Sequence, residues 1–200
     1  MADENLFPTN TITGLLLAGG AGRRVGNRDK GTLPWRGRPM ATHCVERMAP
    51  QVKELYISCN RSQAFYNQFD CALISDERVD FQGPLAGVEA MAGHCKTEFL
   101  FLAPCDTPQL PLDLAQRLLT ALQHNPGANI SYARTAQREH YLCALVRGSC
   151  LATVSDFLDT GERAVRLWYG QQGAVSVDFS DTAEAFININ TMTDVMVTAE

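Results

Sequence analysis

Although this 200-residue chain holds seven cysteines, at 44, 59, 71, 95, 105, 143 and 150, no two stand at CxxC spacing. A zinc site usually needs closer pairs and a secreted disulfide framework an even count, so reduced, mostly buried thiols are expected. The four histidines, His43, His94, His124 and His140, show no HExxH or comparable metal spacing. No apolar run approaches the length of a membrane span. The acidic start "MADENLFPTNT" lacks the basic region and apolar core of a signal peptide. A basic excess is missing too: the formal net charge is −5, which argues against general binding of nucleic acid or anionic membrane. A cytoplasmic protein is expected, with a flexible lead-in over 1–11 and a single domain over 12–200.

The basic charge that is present is concentrated. Residues 23–38 hold Arg23, Arg24, Arg28, Lys30, Arg36 and Arg38 against Asp29 alone, so this stretch is +5 and the remainder −10. It lies in "LLLAGGAGRRVGNRDKGTL" (15–33), where an apolar run leads directly into glycines interleaved with cations. A local anion site is the reading.

Apolar runs and helical periods alternate along the chain. Strands are expected at 12–18, 54–60, 71–74, 97–104, 129–134, 141–147, 174–179 and 186–189. Helices are expected at 39–50, 62–69, 83–94, 111–124 and 149–159, then a helical piece after "TGERAV" and a terminal helix from about 191. The stripe Leu114, Leu118, Leu119, Leu122 is core packing. Such alternation favours an α/β three-layer sandwich with a mostly parallel sheet and a Rossmann-like nucleotide-binding half.

The glycine loop fits neither of two common phosphate loops. Gly20-Ala21-Gly22 opens a GxGxxG, but Val25 stands at its third glycine. Gly26 to Gly31 has Walker A spacing, but Lys30 precedes the last glycine instead of following it. What remains is a long loop after the first strand. Backbone N–H groups of Gly19, Gly20 and Gly22 can approach phosphate oxygens because no Cβ intervenes. Arg24 and Lys30 supply the opposing charge.

"FLFLAPCDTP" (99–108) places Asp106 just beyond the carboxyl end of a buried strand, the edge at which open α/β sheets bind ligands. A carboxylate facing a polyphosphate repels it unless a divalent cation lies between them, so Asp106 is the candidate metal ligand, for Mg²⁺. Cys105 is expected to pack inward. Asn188 and Asn190, two apart in "AFININT", present amides to one side of an extended segment. His140 is a candidate substrate contact.

These segments resemble the nucleotidyltransferase signature LAGGxxxRMGxDKxxL, and most closely its version in the molybdenum cofactor guanylyltransferases. "PCDTP", "GPLAG" (83–87), "REHYLCALV" (138–146), "TGERAV" (160–165) and "ININT" resemble further segments of that family, so the likeness runs through essentially the whole chain. The resemblance implies GMP transfer from GTP to the phosphate of molybdopterin, with or without molybdenum, and release of pyrophosphate. It implies nucleotide contacts at Leu17, Ala18, Gly19, Gly20, Gly22, Lys30, Ser58, Asp76 and Asp106, catalytic roles for Arg24, Lys30 and Asp106, and acceptor contacts at Asn188 and Asn190. Implied partners are GTP, molybdopterin and other cofactor-synthesis proteins or molybdoenzyme chaperones. Four departures stand out: Val25 for a methionine, Ser58 for an asparagine, and Tyr141 and Met192 for prolines. Asn60, on the strand face of Ser58, is a partial substitute. A cytidylyltransferase, a sugar-phosphate nucleotidyltransferase and a noncatalytic GTP-binding assembly chaperone are the alternatives.

Overall fold

The computed structural model describes residues 8–20, 28–78 and 82–189. Its centre is β1 (Ile12–Leu17), all six residues of which are buried. Successive side chains of a strand point to opposite faces, so an uninterrupted apolar run requires cover on both. Ile12 and Leu16 join one apolar layer with α1 (Met40–Met48), and Leu15 and Leu17 join the other. Between them runs a seven-stranded sheet.

After β1 the chain forms a small hairpin, β2 (Pro34–Trp35) and β3 (Arg38–Pro39), turned by Arg36 at φ 46° and Gly37 at φ 77°. The elements that follow are β4 (Glu54–Ser58), α2 (Gln63–Tyr66), β5 (Ala72–Ile74), α3 (Pro84–Ala90), β6 (Phe99–Pro104), α4 (Leu114–His124), β7 (Ile130–Arg134), β8 (Glu139–Arg147), α5 (Thr153–Asp159), α6 (Val165–Gln172) and β9 (Ala174–Asp178). The sheet order is β5-β4-β1-β6-β8-β7-β9. Every pairing is parallel except those of β8 with β6 and β7.

α1 and α4 cover one face, while α3, α5 and α6 cover the other. Leu114, Leu118, Leu119 and Leu122 are buried along α4, as their spacing requires. Several expected bounds shift: the helix expected at 149–159 begins at Thr153, after a 3-10 turn at Gly148–Cys150, and that expected at 83–94 ends at Ala90. The helix anticipated from Pro111 begins at Leu114, after a turn at Pro111–Asp113. The strand anticipated at 186–189 does not form: Ser180–Phe186 is a 3-10 helix and 187–189 is irregular. β9 already occupies the sheet edge beside β7, and Ile189 instead folds across the end of β6, its N–H donating to the Asp106 carbonyl at 2.8 Å. The anticipated terminal helix lies outside the described residues.

The consequence for the site is positional. Leu17 of β1 stands in register with Pro104 of β6, so the glycine loop and the Asp106 segment leave the sheet side by side.

Candidate active site

Lys30 and Asp106, 76 positions apart, meet at that edge: Lys30 Nζ donates to Asp106 Oδ2 at 2.8 Å. Lys30 opens a 3-10 turn, Lys30–Thr32, whose first residues are tied by Asp29. The Gly31 N–H donates to Asp29 Oδ1 at 3.0 Å and the Thr32 hydroxyl to the Asp29 carbonyl at 2.8 Å. The buried Tyr66 hydroxyl, from α2, donates to the same Asp29 Oδ1 at 2.7 Å. A Cβ on Gly31 would collide with that hydroxyl, so the turn is closed around a space only glycine leaves open.

The Asp106 segment is held as firmly. Cys105 N–H donates to the Leu17 carbonyl at 3.1 Å, and the Cys44 thiol lies 3.6 and 3.5 Å from the Cys105 and Thr107 carbonyls. Complete burial pushes the Cys44 thiol far above its ordinary pKa, so it stays protonated and serves as a donor. Cys105 itself is buried, as expected, and all seven cysteines are free thiols.

Asp106 Oδ1 is buried and has no hydrogen-bond partner among the described residues. An unpartnered anionic oxygen beside a cation fits a hard divalent ion, which takes oxygen donors. Among the described residues no three His, Cys, Asp or Glu side chains gather as a metal cage. The donor set therefore suits Mg²⁺, which is commonly bound through one or two carboxylates and completes its shell with water and substrate phosphate.

A second group forms at the ends of β1, β4 and β5. Asn60 Nδ2 donates to Asp76 Oδ2 at 2.7 Å, and the Asp76 N–H donates to Asn60 Oδ1 at 2.9 Å. Ser58 Oγ reaches Asp76 Oδ1 at 3.4 Å. Burial raises the Asp76 pKa, opposed by these two donors. A Cβ on Gly19 would stand 3.2 Å from Asn60 Nδ2, while one on Gly20 would meet nothing. Gly20 thus faces open space, whereas Gly19 permits close packing onto Asn60. Ala18 completes the link, its N–H donating to the Ser58 carbonyl at 2.9 Å. Arg61 spans the glycine loop, donating to the Gly20 carbonyl at 2.7 Å and the Arg28 carbonyl at 3.2 Å.

Toward β8 and α6, a cleft of about 400 Å³ is lined by Asp106, His140, Tyr141 and Asn188, among others. Asn188 Oδ1 accepts from the Thr107 hydroxyl at 3.4 Å. His140 Nε2 lies 3.2 Å from Thr135 Oγ1, and its ring packs on Phe186. Burial, aided by the charge of Arg138, lowers its pKa to about 4, so it is neutral near pH 7. The structure thus brings together Leu17, Ala18, Gly19, Gly20, Lys30, Ser58, Asp76, Asp106 and Asn188 on one edge of the sheet. Gly22, Arg24 and Asn190 lie outside the described residues. Sequence reasoning did not reach Asp29, Arg61 or Tyr66. The Asp29-Lys30 dipeptide was a visible cue, but Arg61 and Tyr66 matter only through contacts that the fold creates.

Residues 14–175 match the MobA-like NTP transferase domain. Over 181 residues the chain is 41% identical to the molybdenum cofactor guanylyltransferase of Shewanella putrefaciens, covering 90% of this chain and 92% of that one. The chain belongs to the molybdenum cofactor guanylyltransferase family. This family member is also 40% identical to the Shewanella halifaxensis guanylyltransferase over 183 residues, 92% of this chain and 91% of its relative. In fold it resembles the molybdopterin-guanine dinucleotide biosynthesis protein A of Archaeoglobus fulgidus, at TM-score 0.76, 19% identity, and coverage of 94% and 96% of the two chains. A 4-diphosphocytidyl-2C-methyl-D-erythritol synthase from Anaerococcus prevotii superposes nearly as well, at TM-score 0.73 and 8% identity over 96% of each chain. The architecture alone therefore leaves the base unselected.

Proposed function

We propose that this protein transfers GMP from GTP to the phosphate monoester of molybdopterin, giving the guanine dinucleotide and pyrophosphate, within a single domain that begins at residue 12. An acceptor phosphate oxygen attacks the α-phosphorus, a P–O bond forms, and the bond from the α-phosphorus to the oxygen bridging toward the β-phosphorus breaks. Pyrophosphate carries that oxygen and its electron pair away. The attacking phosphate is already ionised near neutral pH, so no protein general base is needed. The chain's task is alignment and charge neutralisation.

The observation that carries this reading is the Lys30–Asp106 pair at the shared edge of β1 and β6, with Asp106 Oδ1 unpartnered among the described residues. Gly19, Gly20 and Gly22 give phosphate oxygens access to backbone N–H groups, and Arg24 and Lys30 neutralise the leaving pyrophosphate. Asp106 would hold Mg²⁺, which would offset charge on the transferred phosphate. Asp76, fixed by Asn60 and Ser58, suits guanine because that base presents two adjacent donors, N1–H and the 2-amino group, to a carboxylate. Cytosine has no such pair. Asn188, with Asn190, serves the acceptor in the cleft toward β8.

The test is to incubate the protein with molybdopterin, molybdate, Mg²⁺ and either GTP or CTP, following pyrophosphate and dinucleotide together. Dinucleotide with GTP and little with CTP is the expected result. A preference for CTP would replace the base assignment, and nucleotide binding without pyrophosphate release would favour a noncatalytic assembly protein.

A further inference from the structure

The arginines of this protein divide sharply by what they touch. Arg38, Arg78, Arg117, Arg134 and Arg147 form ion pairs. Arg47, Arg61 and Arg163 donate to backbone carbonyls, and Arg36 lies over the Trp35 ring. Among the described residues, three guanidiniums have neither hydrogen bond nor ion pair: Arg28, on the glycine loop, and Arg138 and Arg166. Both of the latter line the cleft that contains Asp106, His140 and Asn188.

They reach that cleft from different elements. Arg138 immediately precedes β8, and Arg166 is the second residue of α6. A lone solvated arginine needs no explanation. Two unpartnered ones converging from separate elements on one concavity, in a protein of net charge −5 whose other described arginines, Arg28 apart, are engaged, call for one. The other charges of the wall are Asp106, which Lys30 already pairs, and Glu139. His140 adds no charge there at neutral pH. The cleft is thus left with two cations against one unpaired acid.

We propose that Arg138 and Arg166 form an anion subsite that binds an oxyanion of the acceptor on the side of Asp106 away from the nucleotide. This rests on the reading that the cleft receives molybdopterin. Two oxyanions of that acceptor fit: its phosphate monoester, and the oxo group of bound molybdenum. Guanidinium suits either, since its planar fork donates to two oxygens at once.

The experiment measures equilibrium binding of molybdopterin to Arg138→Gln, Arg166→Gln and the double variant, using metal-free and molybdate-loaded molybdopterin separately. GTP binding is measured alongside. Both side chains are exposed and unpartnered, so the variants should melt with the parent protein. Each substitution should weaken acceptor binding about 5- to 20-fold, as expected of a partly exposed charge-assisted contact, and leave GTP binding unchanged. Arg→Lys versions should retain part of the affinity, and added salt should narrow the gap between parent and variant. Equal weakening for both acceptor forms assigns the phosphate, and weakening of the loaded form alone assigns the oxo group. Unchanged acceptor affinity in the double variant overturns the subsite. A parent protein that binds molybdopterin through these arginines yet forms no dinucleotide from GTP would instead remove the proposed function.

Discussion

Replacing Lys30 with alanine tests the centre of the site, because the proposed reaction gives this side chain a second effect separable from its ion pair with Asp106. In the resting protein its ammonium pairs with Asp106 at 2.8 Å, where the Asp106 side chain is only 12% exposed and its other oxygen has no partner among the described residues. Removing the lysine leaves a largely buried carboxylate with neither oxygen satisfied. That should cost about 1–3 kcal/mol of stability, the usual range for a stranded buried acceptor. For a domain of this size it corresponds to a melting temperature lower by roughly 2–12 °C. In the proposed reaction the same ammonium would face the pyrophosphate, and losing one preorganised cation there should cost about 2–4 kcal/mol, or roughly 30- to 900-fold in rate. The assay is the initial rate of dinucleotide formation with both substrates saturating, beside a thermal melt. The effects separate in Lys30→Ala/Asp106→Asn. Its neutral amide should recover much of the lost stability while activity stays low, since neither the cation nor the carboxylate proposed to hold the metal returns. Turnover of Lys30→Ala within about 3-fold of the parent would refute the reasoning, because one lost transition-state cation should cost at least an order of magnitude.

Gly31→Ala places a methyl against the Tyr66 hydroxyl and should destabilise the protein by about 1–3 kcal/mol; adding Tyr66→Phe, which removes that hydroxyl, should restore part of the loss in a denaturant titration. Asp76→Asn should raise the KM for GTP more than it lowers kcat, and should narrow the preference for GTP over CTP, because the amide loses one of two acceptor oxygens; competition between the two nucleotides measures this directly. His140 has a folded pKa of about 4 against an ordinary 6.5, so the unfolded chain binds its proton first. Stability should therefore be fully present above about pH 6.5 and be lost as pH falls toward 4, by up to about 3 kcal/mol. His140→Asn should flatten that part of the stability profile by close to one proton, and an unchanged slope would show that His140 is not buried neutral.

The fold was legible wherever burial is two-sided. β1 and β6 carry nearly continuous apolar runs because each is covered on both faces and flanked by other strands, so "ITGLLL" and "FLFLAP" announce central strands without reference to anything distant. Segment 186–189 has a similarly apolar look in "FINI", yet it is no strand. Whether such a run pairs depends on a free sheet edge within reach, and here β9 occupies the edge beside β7. The early start placed on α4 has a local cause as well: Pro111 suits a first helical position, but in this chain it opens a preceding turn.

The site divides along the same line. Lys30 and Asp106 could be picked out separately, one by a cluster of positive charge in an acidic chain and the other by an aspartate at the end of a buried strand. Neither clue shows that the two side chains touch. The register of Leu17 with Pro104 decides that, by bringing both strand ends to one level. Asn60 was legible only as a neighbour of Ser58, and its reciprocal bonds to Asp76 depend on β5 delivering that aspartate beside β4. Tyr66 and Arg61 carried no signal at all: a tyrosine in a four-residue helix and an arginine after a strand are ordinary until the fold sets them against Asp29 and the glycine loop. Arg138 and Arg166 are the limiting case. What distinguishes them is a place in the cleft with no partner among the described residues, a property that a chain acquires only when the other arginines have been placed. Residues proposed to meet substrate can thus be found from chemistry written locally in the sequence, whereas residues that hold them in position, or that stand unpaired in the cleft, are defined by the packing of the rest.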